Sequence, residues 1–347
     1  MKRRSLIIVV LLLVVAGIVY LNRYKTTHDQ LLTIAGTSMG TSYHIKVAPM
    51  GAKIDSSSLK NQIQSRLDDI DNQMSTYKKN SDISRFNRHP DNDWMSVSAE
   101  TMFVVQTADT ISRLSHGAFD ITIGKLVNLW GFGPTINIEA IPAADAILNL
   151  QSQVGYHQLE LRQTPPALRK RSKAVSLDLS AIAKGYAVDA IARLLLEHQL
   201  DNFLVEIGGE IITHGYKQPQ RPWVIGIESP VAGERSIRKR LHLPDVAMAT
   251  SGDYRNYFEH QDTRYSHTID PATGYPVKHR LASVTVIDSS CMRADALATA
   301  IMVMGPGKGM EFAEQQQLAI FMLVKQNGQF VEKHSTAFKP YLKSAEE

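Results

Sequence analysis

Hydrophobic and polar positions along this chain follow two different periods, and the switches between them mark its elements. Leu59, Ile63, Leu67, Ile70 and Met74 recur at spacings of four, four, three and four, which puts them on one face of a helix opened by Ser57 or Ser58. Met102, Val105, Ala108, Ile111 and Leu114 predict a second helix with Ser98 as its cap. A third is expected from Ala183 to His198, with Ala187, Ile191, Leu194 and Leu195 turned inward. A fourth covers Arg293–Met304 and a fifth Lys308–Gln316, with Gly305-Pro-Gly307 as the turn between them.

Strand-like stretches are Thr41–Val47, Gln158–Leu161, Phe203–Ile207, Ile211–Gly215, Trp223–Glu228, Ser283–Ile287 and Ala319–Val324. They arrive in adjacent runs rather than in strict alternation with helices, so the pattern favours an α+β fold over a doubly wound α/β sheet. Arg162–Lys173, with Pro165-Pro166 and Arg169-Lys170-Arg171, reads as a solvated loop, and so does Ala232–Arg240.

One stretch obeys neither period. Leu6 to Leu21 is an unbroken apolar run of 16 residues behind Lys2, Arg3 and Arg4. As a helix it would reach about 24 Å, slightly short of a bilayer core, with Arg4 and Arg23 able to snorkel at its ends. A cleaved signal peptide and an uncleaved anchor compete here. The anchor is favoured because the small-x-small candidate, Val15-Ala16-Gly17, lies inside the run. Basic residues weighted before the run place the N-terminus in the cytoplasm and the body outside. In a bacterium this means an inner-membrane protein whose body faces the periplasm. The division expected is an anchor over 1–25 and one large domain over 31–345.

Composition adds exclusions. With 347 residues, 44% hydrophobic and 21% charged, the chain is neither disordered nor low in complexity. Its 38 Lys and Arg stand against 34 Asp and Glu, and the N-terminal cluster holds most of the excess, so there is no basic face for nucleic acid. The single cysteine, Cys291, excludes an internal disulfide and any multi-cysteine metal site.

The familiar nucleotide and zinc-peptidase motifs are missing. Gly36-Thr-Ser38-Met-Gly40 has the letters of a nucleophile elbow but leads into a strand, where an elbow opens a helix. What remains is a set of polar clusters. Asp295 and Thr299 are four apart and share one helix face, a pair of hard oxygens suited to Mg²⁺, although Asp295 could equally serve the helix dipole. Asp178-Leu-Ser180-Ala-Ile-Ala-Lys184-Gly185 reads as a turn into a helix start with Ser180 as a candidate cap, either an anion site to which Lys184 adds charge or an ordinary capped helix. Ser266-His267-Thr-Ile-Asp270-Pro271 makes a turn that projects His267, a natural general base. Gly208-Gly209 either lets a ligand approach the backbone or simply closes a hairpin. Ala249-Thr-Ser251-Gly252-Asp-Tyr-Arg255 offers hydroxyls and a guanidinium, or an ordinary surface turn.

Taken in order, these pieces resemble the ApbE family of FAD:protein FMN transferases. The resemblance covers about residues 33–343. It rests on Thr37-Ser-Met39-Gly40-Thr41, Met74-Ser-Thr-Tyr77, Gly117-Ala118-Phe119-Asp120 and Leu126-Val-Asn-Leu-Trp130-Gly-Phe-Gly133. It continues through Asp178 to Tyr186, Gly208-Gly209, Thr250-Ser-Gly252, His267-Thr-Ile269-Asp270-Pro271 and Ala294-Asp295-Ala-Leu-Ala-Thr299. The resemblance implies a single large mixed domain of the T-fold-like ApbE kind. It implies an enzyme that splits FAD with Mg²⁺ and places FMN on a threonine or serine hydroxyl of another protein, releasing AMP.

By the same resemblance Met39, Tyr77, Ala118, Phe119, Asp120, Asp178, Lys184 and Ile269 would hold FAD. Asp295, Thr299 and the Ala181 carbonyl would hold the metal, and His267 would take the proton. The family's acceptor motif, Asp-(Gly/Ser)-Ala-(Ser/Thr)-(Ser/Thr), has no match here, so the acceptor would be a separate protein, expected to be a subunit of a membrane redox complex. An FAD pyrophosphatase using water, or a flavin-binding protein without chemistry, would use the same residues.

Overall fold

The computed structural model describes residues 31–343 apart from 53, 91, 135–140, 219, 231–235, 254–256, 261 and 262. The apolar run Leu6–Leu21 lies outside the described residues. Among those described, no helix is long and apolar enough to cross a membrane.

Alternating side chains build one large sheet. Numbering its strands in chain order, they are β1 (Leu32–Ser38), β2 (Thr41–Val47), β3 (Phe203–Ile207), β4 (Glu210–His214), β5 (Ala247–Gly252), β6 (Leu281–Asp288), β7 (Ala319–Gln326) and β8 (Gln329–His334). They lie side by side in that same order, every pair antiparallel. Period two sends successive residues to opposite faces, and both faces are covered. In β7, Ile320, Met322 and Val324 enter the core beneath the helices, whereas Ala319, Phe321 and Leu323 enter a second core. Trp223, Ile225, Ile227 and Leu241 close that second core from the hairpin Val224–Glu228/Ile237–His242. Burying such a side chain contributes roughly 2 kcal/mol relative to exposing it, so β7 is held from two sides, whereas β2 alternates buried and exposed positions.

The helices are α1 (Ser56–Met74), α2 (Asp82–Arg88), α3 (Ala99–Leu114), α4 (Gly124–Leu129), α5 (Ala144–Gln151), α6 (Ala183–Glu197), α7 (Cys291–Gln315) and the short α8 (Lys339–Lys343). The five apolar residues predicted for α1 are its buried face. Its cap is Asp55 rather than Ser57 or Ser58, because the Asp55 carboxylate accepts from both serine amides. Ser98 caps α3 as expected, accepting from the Thr101 amide at 3.1 Å. α7 comprises the two helices expected after Arg293: the first starts at Cys291, and Gly305, non-helical at φ 76° and followed by Pro306, separates it from the second.

Two expectations fail. Ala167–Lys170, placed in a solvated loop, is a strand between Met95–Ser96 and Leu159–Arg162. Its alternation turns Arg169 out to Glu160 and sends Lys170 inward, 1% exposed, to the carbonyls of Phe86 and Asn87 at 3.1 and 3.0 Å. In the second expected loop, Ile237–His242 is likewise a strand, pairing with Val224–Glu228.

Candidate active site

Two hairpin tips and one helix start meet at one end of the sheet. Met39 and Gly40, both at positive φ, turn β1 into β2. Gly208 and Gly209, at φ 64° and 106°, turn β3 into β4, so the glycine pair closes a hairpin. The Gly208 amide donates to the Ser42 carbonyl at 3.1 Å, locking the tips together. A Cβ on Gly208 would meet Thr41 Cγ2 at 3.0 Å and Lys184 Cδ at 3.3 Å. Lys184 therefore reaches the tips from the first turn of α6 because glycine leaves it room. Thr250, Ser251 and Gly252 form the end of β5 rather than a surface turn, with Thr250 Oγ1 2.8 Å from Thr285 Oγ1.

Lys184 enters a buried acidic centre. Its Nζ is 2.7 Å from Glu210 Oε1 and 3.9 Å from Asp295 Oδ2. Asp295 Oδ2 also accepts the Gly185 amide at 3.1 Å. Ser180 does not cap α6: the preceding residue, Ile182, carries no side-chain cap, and a carboxylate from α7 satisfies an orphan amide of the first turn instead. Among the described residues the hydrogen bond given to Asp295 is the Gly185 amide on Oδ2, which leaves Oδ1 without one, and Glu210 Oε2 is buried without a hydrogen-bond partner.

Charges here are tightly linked. Burial raises the Glu210 carboxyl to about 7, against the pull of Lys184 and with a push from Asp295. Burial also raises Asp295, opposed by Lys184 and the Gly185 amide. Lys184 is lifted above the ordinary lysine value, since the two carboxylates outweigh the desolvation that would lower it.

Several of the other expected site residues support the frame. Asp178 receives the Ser180 amide at 2.8 Å and donates its own amide to the Ile121 carbonyl. Asn87 clamps its neighbour, accepting from the Leu177 amide at 2.7 Å and donating to the Leu177 carbonyl at 2.9 Å. Tyr77 is 64% exposed, and its phenol is raised by burial and then by Asp178. A cavity of about 310 Å³ beside them is lined by Thr76, Arg88, Asn128, Ser176 and Asp178, among others.

Phe119 and Asp120 are buried. Both Asp120 oxygens are engaged, one by the Thr122 amide and hydroxyl and the other by the Tyr156 amide. Any ligand contact of this stretch thus falls to Ala118 and the backbone. Ile269 is buried in a small core with Leu126, Trp130, Ile147 and Tyr265, and pairs with Pro276. His267 stands half-buried, edge-on to Phe132 with centroids 6.3 Å apart, ahead of the predicted turn in which the Gly274 amide donates to the Asp270 carbonyl. Thr299 lies half-buried one turn beyond Asp295.

Residues 39–322 match the ApbE family. The chain belongs to that family. An FAD:protein FMN transferase of Vibrio cholerae is 43% identical over 309 residues, spanning 89% of this chain and 92% of that protein. The FAD:protein FMN transferase of Escherichia coli K12 is 36% identical over 92% of each chain. Among solved ApbE structures, the flavin transferase of Vibrio cholerae superposes with a TM-score of 0.84 at 42% identity, covering 90% of this chain and 99% of the other. The apo flavinyl transferase of Pseudomonas stutzeri gives 0.83 at 38% identity, covering 90% and 97%.

An ApbE protein that uses a divalent cation needs hard oxygens with room for a ligand to complete the shell. The donor set fits. Two buried carboxylates face one ammonium, Asp295 Oδ1 is uncommitted, and no cluster of three or more metal-ligating side chains is present among the described residues. Such a centre would bind the ion with help from phosphate and water. Glu210 is the residue that sequence reasoning missed: the Gly208-Gly209 pair before it read equally as a ligand approach or a hairpin, and no spacing links Glu210 to Lys184, 26 positions earlier.

Proposed function

We propose that this chain is an FAD:protein FMN transferase that cleaves the FAD diphosphate and joins FMN to a threonine or serine hydroxyl of a separate protein. The observation that carries this reading is the match, along about nine-tenths of its length, to proteins of that name. Supporting it, the chain builds an acidic centre with a lysine at the hairpin tips, where a diphosphate and a cation can share it.

In the reaction the acceptor oxygen forms a bond to the FMN phosphorus while the bond from that phosphorus to the bridging oxygen breaks, and AMP departs with the bridging oxygen. His267 takes the hydroxyl proton. Lys184 places its ammonium beside the diphosphate, and Asp178 and Tyr77 flank the cavity that receives the rest of FAD. Met39, Ala118 and the backbone at Phe119, Asp120 and Ile269 complete that site. Asp295, Thr299 and the Ala181 carbonyl would hold Mg²⁺, which when bound neutralises charge on the phosphate oxygens. Transfer at phosphorus depends mostly on such positioning and charge neutralisation.

The apolar run Leu6–Leu21 anchors the protein in a bacterial inner membrane, with the 31–345 domain in the periplasm beside a membrane redox complex that supplies the acceptor subunit. The test mixes the detergent-solubilised full chain with FAD, Mg²⁺ and such a subunit, and looks for an FMN-sized mass adduct. AMP release without an adduct, at a rate indifferent to the acceptor, would instead identify an FAD pyrophosphatase.

A further inference from the structure

Lys184 has two carboxylates within reach and is not shared equally between them. Its Nζ lies 2.7 Å from Glu210 Oε1, a charge-assisted contact, and 3.9 Å from Asp295 Oδ2. Glu210 is fixed as the first residue of β4: its backbone pairs with Ile207 across the glycine turn, and its side chain is buried. Lys184 is fixed less firmly, on a long side chain that remains 28% exposed. An ammonium released from Glu210 would need to move about one ångström or two to sit directly on Asp295, since the three groups already converge. There it would be a resident cation in the place of a metal.

We propose that Glu210 is a positioning residue that holds the Lys184 ammonium off Asp295, so that Asp295 keeps an uncommitted oxygen for a divalent cation. The inference rests on the reading of Asp295 as a metal ligand and deepens it. It accounts for a buried acid that no ligand role requires, and for Asp295 Oδ1 taking no hydrogen bond from the described residues. It also separates two duties of Lys184: the lysine faces the diphosphate only while Glu210 prevents it from neutralising the metal ligand.

The test is Mn²⁺ binding to the FAD-free full chain at pH 7.5, followed by the electron paramagnetic resonance signal of free Mn²⁺, with circular dichroism as the check on folding. Glu210→Gln should raise the Mn²⁺ dissociation constant about tenfold, a size ordinary for groups in direct contact. Glu210→Asp keeps the charge but withdraws the carboxylate by one methylene, and should weaken binding too; a charge acting only through its field predicts no change there. In a Lys184→Met background, Glu210→Gln should have little effect, because the competing ammonium is gone. Additive effects in this cycle, or an unchanged constant in Glu210→Asp, would overturn the inference while leaving the metal site standing. Failure of the wild-type chain to bind Mn²⁺, or equal binding by Asp295→Asn, would overturn the metal reading and this inference with it. Should Glu210→Gln fail to fold, the Glu210→Asp comparison decides.

Discussion

Asp189 and Asp295 each cap the helix that carries the other. From α6, Asp189 accepts the Ser290 hydroxyl at 2.7 Å and the Cys291 and Met292 amides at 2.8 and 3.1 Å, satisfying the start of α7. From α7, Asp295 accepts the Gly185 amide in the first turn of α6. Each carboxylate meets the positive end of a helix dipole, so the pair fixes both the spacing and the register of the two helices that bring Lys184 and Asp295 together.

Breaking one half of this exchange should loosen both helices. Asp189→Ala leaves two amides and a hydroxyl without their acceptor in a largely buried place. We expect a loss of about 2 kcal/mol in urea unfolding, within the range for caps and buried donors. Asp189→Asn keeps an acceptor oxygen and should lose less. Equal stability of all three proteins would show that the exchange contributes nothing.

The same junction needs a residue without a side chain. A Cβ on Gly185 would stand 2.4 Å from the Cys291 carbonyl oxygen and 2.7 Å from Met292 Cα, both backbone atoms that cannot swing aside. Gly185→Ala should therefore destabilise by about 1–3 kcal/mol. Gly307 is the control, since nothing lies within 4 Å of its Cβ position and it sits in the second limb of α7. Gly307→Ala should be neutral or stabilising by up to about 1 kcal/mol. The opposite order of the two melting temperatures would refute the packing argument.

Stability should also carry a histidine signature. His279 Nε2 lies 2.6 Å from the Met302 carbonyl, and the Leu281 amide donates to Nδ1 at 3.3 Å, which requires the neutral ring with its proton on Nε2. Burial holds its pKa below the ordinary value of 6.5, although the Met302 carbonyl, Asp253 and Asp270 pull it back. The unfolded chain then binds more protons than the folded one between the two values. This contribution is present in full above about 6.5 and is lost as pH falls through the folded pKa. Urea midpoints measured from pH 7.5 down to 5 should fall more steeply for wild type than for His279→Gln. Parallel curves would remove His279 as the cause.

What the sequence makes legible follows from how each signal is encoded. The faces of α1, α3 and α6 appear in the spacing of apolar residues because each helix carries buried residues at helical intervals. β1 is hard to see because its inward row, Leu32, Ile34, Gly36 and Ser38, ends in small residues: Gly36 packs under the Tyr43 ring, and a Cβ there would lie 2.5 Å from the phenolic oxygen. Ala167–Lys170 is masked by its basic letters, since alternation buries a lysine between two outward arginines and no period distinguishes an ammonium tied to carbonyls from one in water. Of the acidic centre, Asp295 with Thr299 shows as a helical spacing and Lys184 as part of a motif. Glu210 joins them only through tertiary contact, which a single sequence does not display.

The base assignment can be separated from the metal assignment by kinetics. His267 stands edge-on to Phe132, and in the proposed mechanism it gives no atom to the cation, so its loss should leave cation binding intact. A positioned base typically supplies about 10²–10⁴-fold, and His267→Ala should slow FMN transfer within that range while Mn²⁺ binding stays at the wild-type value. Asp295→Asn should lose both. An unchanged transfer rate in His267→Ala would assign the base elsewhere while leaving the acidic centre as described.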